Sequence, residues 1–89
     1  SLVVAKLRRT PHSDWTETAI RALGKMGARV AIPLFREAIP KLSRGLQFVV
    51  LEATRRVGGS ASSRLLVEYK FSDDVELSLK ASELLREER

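Results

Sequence analysis

Ala19-Ile20-Arg21-Ala22-Leu23-Gly24-Lys25-Met26-Gly27, with Ala31-Ile32-Pro33-Leu34-Phe35 just beyond it, decides the fold. Trp15, Ala19, Ala22, Leu23 and Met26 recur at three- and four-residue steps, the spacing that puts apolar side chains on one face of an α-helix. Asp14-Trp15-Thr16-Glu17 has the form of a capping box that opens such a helix, and Gly27 is a C-terminal stop. Val30, Ala31, Leu34, Phe35, Ala38 and Ile39 then start a second stripe, with Pro33 expected in its first turn, where a missing amide matters least. The stretch reads as helix, glycine turn, helix.

The same punctuation extends in both directions. Leu2, Val3 and Leu7 predict a helix over Leu2 to Arg9, stopped by Thr10-Pro11 because a residue before proline leaves the α region. Pro40 to Gly45 breaks the chain, and Leu46, Val49, Val50, Ala53 and Val57 form a stripe that ends at Gly58-Gly59. Ser60 is expected to cap a helix through Ala61, Leu65, Leu66 and Tyr69, and Asp73-Asp74-Val75-Glu76 is a second capping box opening a last helix. No alternating β-branched run lies between turn residues. The expectation is a single all-α domain of about six helices over the 89 residues.

A shift of 31 residues lays Met26-Gly27 over Val57-Gly58, Ala22 over Ala53, Leu34 over Leu65, Phe35 over Leu66 and Glu37 over Glu68. The unit is a helical hairpin. A hairpin of this size cannot bury its own apolar face, so neighbouring hairpins must stack on it. In Ala19–Gly27 and Ala31–Phe35 the chain resembles the HEAT family, particularly the short bacterial HEAT-like repeats also found in phycobilin lyases. The Ala/Leu-rich first helix, the Gly-x-hydrophobic-Gly turn and the Pro-bearing second helix carry that resemblance. The second unit departs from it, with Thr54 and Arg55 in place of Leu23 and Gly24, and Arg64 in place of Pro33. The resemblance implies a HEAT- and armadillo-like α-solenoid of antiparallel helix pairs, with the second helices lining a concave side that holds a partner.

Composition narrows the chemistry. The chain is 44% hydrophobic and 30% charged, a folded-domain profile, and it has no cysteine, which excludes thiolate chemistry and leans toward a reducing compartment, taken as cytoplasmic. No run approaches the ~20 apolar residues of a membrane span, so no insertion by this segment is expected. The chain begins with Ser1, which suggests a piece of a larger protein. Residues 1–45 hold nine Lys/Arg against three Asp/Glu, and residues 46–89 hold seven against eight, so the +5 net charge sits at one end.

A catalytic set is missing. His12 is the sole histidine, in a Pro-Ser-Asp turn without a second metal or triad partner, and Asp73, Asp74 and Glu76 suit helix capping. Gly24-Lys25-Met26-Gly27 and Gly58-Gly59-Ser60 lack the preceding strand and spacing of a phosphate loop. Trp15, Phe35 and Tyr69 lie on core stripes, whereas Phe48 and Phe71 lie off them. The sequence therefore predicts neither an enzyme nor a cofactor or metal, but a protein-binding or scaffolding module.

The expected binding face lies on the second helices, where the stripes leave Pro33, Arg36, Glu37 and Pro40 outward and, by the same shift, Arg64, Val67, Glu68 and Phe71. Arg36, Arg64, Val67 and Phe71 have the composition of a protein-binding surface, although Val67 and Phe71 equally suit packing on a following helix. The alternative is a nucleic-acid-binding solenoid gripping phosphates with Arg8, Arg9, Arg21, Lys25, Arg29, Arg36 and Arg44. A phycobilin-lyase fragment follows from the resemblance alone. On the last helix, Leu77, Ala81, Leu84 and Leu85 share one arc and Val75 and Leu79 another; the second arc predicts an exposed apolar strip with weak self-association.

Overall fold

The computed structural model describes residues 15–86. The expected helix Leu2–Arg9, the Asp14 cap, His12, Arg8 and Arg9 lie outside the described residues. Within them the chain is all-helical: α1 Glu17–Lys25, α2 Ala28–Ala38, a short 3₁₀ turn Ile39–Lys41, α3 Arg44–Val57, α4 Gly59–Lys70 and α5 Val75–Arg86.

The starts of α1, α2, α4 and α5 each show a local polar or backbone device. Thr16 caps α1: its Oγ1 accepts the Ala19 amide at 3.1 Å and its carbonyl accepts the Ile20 amide at 3.0 Å. The capping residue is thus Thr16, and Trp15 stands ahead of the helix, still buried in the core. Gly27 and Gly58, 31 residues apart, precede α2 and α4 in nearly the same conformation, φ 95° with ψ 164° and φ 73° with ψ −179°. That left-handed φ suits a residue without Cβ. Gly58, not Ser60, therefore begins α4, and Gly27 begins α2 early enough that Pro33 is its sixth residue, beyond the first turn. Pro33 and Arg29, whose carbonyl the missing amide leaves unserved, are both exposed, so that carbonyl lies on the solvent side. For α5 the cap is Asp74 and not Asp73: its Oδ1 accepts the Leu77 amide at 3.2 Å.

The described residues span 34 × 24 × 17 Å. α1 packs on α3, α3 on α5 and α2 on α4. Short connections join α1 to α2, α3 to α4 and α4 to α5, and α5 lies extensively against α4. Ile20, Leu23, Ile32, Leu34, Phe35, Ile39, Val50, Leu51, Leu65, Leu66, Leu77 and Leu84 form one core cluster. Phe48 and Tyr69 are half-buried against it.

Two polar side chains are buried in this core. The Thr54 hydroxyl donates to the Val50 carbonyl at 2.8 Å, one turn back. The Ser62 hydroxyl has no hydrogen-bond partner among the described residues. At the helix ends, Gln47 Nε2 donates to the Ile39 carbonyl at 2.7 Å and the Ser78 hydroxyl donates to the Lys70 carbonyl, so α3 and α5 each satisfy a carbonyl at the end of a neighbour.

The burial pattern corrects several stripes. Ile20 and Leu51 are fully buried, whereas Ala22, Met26 and Ala61 are exposed. The buried face of α1 is centred on Ile20 and Leu23, rotated from the expected stripe. The last helix follows the expected arcs: Leu77, Ala81 and Leu84 are buried, and Val75 and Leu79 are 69% and 65% exposed. No helix among the described residues is long and apolar enough to cross a membrane.

Candidate functional site

The α2–α4 face gathers the residues expected there. Pro33, Arg36, Glu37 and Pro40 from α2 and its 3₁₀ extension are all exposed, as are Arg64, Val67, Glu68 and Phe71 from α4 and its C-cap. Because α2 packs directly on α4, these two rows lie on adjacent elements. Phe71 is 76% exposed and Val67 41%, so these side chains are not covered by the helix that follows. The Lys70 ammonium stands 5.6 Å from the Phe71 ring centroid, over the electron-rich face.

Arg36 is committed on this face. Its Nε donates to Glu68 Oε2 at 3.1 Å and its Nη2 to Glu68 Oε1 at 3.2 Å, a two-point clamp between α2 and α4. Sequence reading placed both residues on the face without pairing them. The face therefore presents Arg64 as a cation, the Arg36–Glu68 pair as a nearly neutral polar unit, and Val67 with Phe71 as apolar ground.

Among the described residues, the members of the basic set stand in different surroundings. Arg44 is taken by acids of α5: its Nη2 lies 2.6 Å from Asp74 Oδ2 and its Nε 3.5 Å from Glu76 Oε1. The Asp74 hydrogen bond raises the Arg44 pKa, and the same bond holds the Asp74 carboxyl below its ordinary range. Arg21 pairs with Glu17 one turn earlier at 3.6 Å. Arg29 is exposed in the first turn of α2. Arg21 and Lys25 do come together, on the outer edge of α1, where Arg56 of α3 joins them around a cleft. Arg56 was absent from the expected set although it stands 31 residues after Lys25.

Among the described residues no group of three or more His, Cys, Asp or Glu is placed to hold a metal ion. At the start of α5, Asp74 caps the helix and, with Glu76, receives Arg44. No protein-family model, curated protein or solved structure matches the chain.

Proposed function

We propose that this chain is a protein-binding module of stacked helical hairpins, HEAT-like in arrangement, that docks its partner on the α2–α4 face and carries out no chemical step itself. The exposure of two apolar side chains, Val67 and Phe71, beside Arg64 carries this reading. Apolar side chains left open next to an arginine, and ringed by polar groups, suit a desolvated contact with another protein. The packing of α1 on α3 on α5 and of α2 on α4 supports the stacked arrangement, as do the matching glycine turns at Gly27 and Gly58. A phosphate-gripping surface has less support, because Arg36 and Arg44 are engaged by carboxylates.

The test is affinity for the purified partner. Val67→Asp with Phe71→Asp should weaken binding at least about tenfold while leaving the helical fold intact. The double variant Val75→Lys with Leu79→Glu, on the other exposed apolar strip, should relieve any self-association and leave partner affinity unchanged. Equal affinity of the Val67/Phe71 variant and wild type would remove the α2–α4 face from the reading.

A further inference from the structure

Away from α2 and α4, α1 and α3 leave a cleft of about 370 Å³ between them, lined by Arg21, Gly24, Lys25, Ala53, Arg56 and Val57. Its floor is apolar and its rim carries three cations. Val49 and Glu52 extend the same wall along α3. From Val49 to Val57 this wall follows one helix for about 12 Å at 1.5 Å per residue, the length of roughly two turns of a bound helix.

The charges around the cleft are not balanced from within. Arg21 shares Glu17, and Glu52 is drawn to Lys80 at 3.5 Å. Lys25 and Arg56 have no carboxylate within ion-pairing distance among the described residues.

Gly24 is the second observation. It lies inside α1, and it is not among the glycines with positive φ, so no turn requires it. A Cβ at this position would meet Val57 Cγ2 at 3.6 Å and the Ala53 Cβ at 3.9 Å, ordinary contacts that the fold accepts. A glycine within a helix costs about 1 kcal/mol relative to alanine. What it provides here is a lowered floor.

We propose that this cleft is a second docking site, for a short acidic amphipathic helix of a partner protein, with an aliphatic side chain over Gly24 and carboxylates on Lys25 and Arg56. The recessed apolar floor argues against a lipid surface, which takes up apolar groups that protrude. The lining holds no aromatic ring on which the bases of a single strand would stack, and its apolar floor has no counterpart in a phosphate backbone. An acidic helix supplies both halves of the complement, apolar on one face and anionic on its flanks. The site is independent of the α2–α4 face, so either can fail alone.

The probe is a fluorescein-labelled peptide of about twelve residues, glutamate-rich, with leucines at i, i+3, i+4 and i+7, read by fluorescence anisotropy. Its scrambled counterpart, with leucines spread around the helix, has the same charge. The expected result is binding at least about tenfold tighter than the scrambled peptide. That preference should be lost in Gly24→Leu, which fills the floor, and in Lys25→Glu with Arg56→Glu, but kept in Val67→Asp with Phe71→Asp. Circular dichroism confirms that each variant is folded, and Gly24→Ala serves as a milder filling should the leucine disturb α1. No binding, equal binding of the scrambled peptide, or undiminished binding by folded variants with the floor filled would overturn the proposal. So would tighter binding of single-stranded DNA or of anionic phosphatidylserine vesicles than of the peptide.

Discussion

Arg36 and Glu68 are held in a two-point hydrogen-bonded pair, 3.1 and 3.2 Å, across the α2–α4 boundary. Both side chains are nearly half exposed, 45% and 48%, so solvent screens the pair and its contribution to stability stays within about 1 kcal/mol. A double-mutant cycle with Arg36→Ala and Glu68→Ala should return a coupling of that size, falling with added salt. Replacing Arg36 with Glu would set two carboxylates against each other, so charge reversal on this face belongs at Arg64. A coupling of several kcal/mol would mean that the pair is buried by something else, such as a bound partner.

Phe35 is fully buried in α2 at the centre of the core. Phe35→Ala removes the largest of the fully buried side chains, and such truncations typically cost about 3–5 kcal/mol. In so small a domain that loss should leave the chain largely unfolded at ambient temperature. Phe71→Ala, by contrast, should change stability by no more than about 0.5 kcal/mol, as is usual for exposed sites. Denaturant melts of the two variants check the pair of expectations, and similar losses in both would contradict them.

Ser62 is fully buried with a hydroxyl that lacks a hydrogen-bond partner among the described residues, and it stands 31 residues after the buried Ala31. Removing an unsatisfied buried hydroxyl and raising helix propensity act in the same direction. Ser62→Ala should therefore stabilise the fold by about 1 kcal/mol, measured as a raised denaturation midpoint. A destabilised variant would show that the hydroxyl has a partner after all.

The Asp74 carboxylate has two roles, capping α5 through Oδ1 and receiving Arg44 on Oδ2, while the Asp74 backbone N–H donates to Ser72 Oγ. The Arg44 hydrogen bond, opposed by burial and aided by the Leu77 amide, lowers its pKa below the ordinary 3.8. A lowered folded-state pKa contributes stability that is present above the unfolded value and is lost as pH falls through the folded one. Asp74→Asn keeps a capping side chain but not the charge. The variant should be less stable than wild type at neutral pH, with the difference closing as pH falls below 3.8. A difference that persists unchanged into strong acid would show that the ion pair is not its source.

Much of this architecture was legible from glycine turns and apolar spacing, because those features act locally. The Gly27 and Gly58 stops, the break after Pro40 and the two arcs of α5 needed no knowledge of neighbours. The rotation of α1 was harder to read. Alanine fits a buried or an exposed position equally, so Ala19 and Ala22 could not fix the phase, and the larger Ile20 with Leu23 sets the buried face. Ser62 and Thr54 were hidden for the opposite reason, since polar residues are buried only where a neighbouring helix closes over them. The Arg36–Glu68 pair and the Lys25–Arg56 rim required the register between hairpins. That register was present in the 31-residue shift, which relates Lys25 to Arg56 and places Glu68 one residue beyond the counterpart of Arg36.

The most direct measurement of the α2–α4 docking surface is site-specific photo-crosslinking in the native host, with a photoreactive phenylalanine analogue at Val67 or Phe71 and, as controls, at Lys25 or Leu79. Attachment of one partner protein from positions 67 and 71, suppressed by Arg64→Glu and absent from position 79, is the predicted result; position 25 should yield an adduct only if the α1–α3 cleft is also occupied. Adducts of that partner from position 79 with none from 67 or 71 would contradict docking on this face.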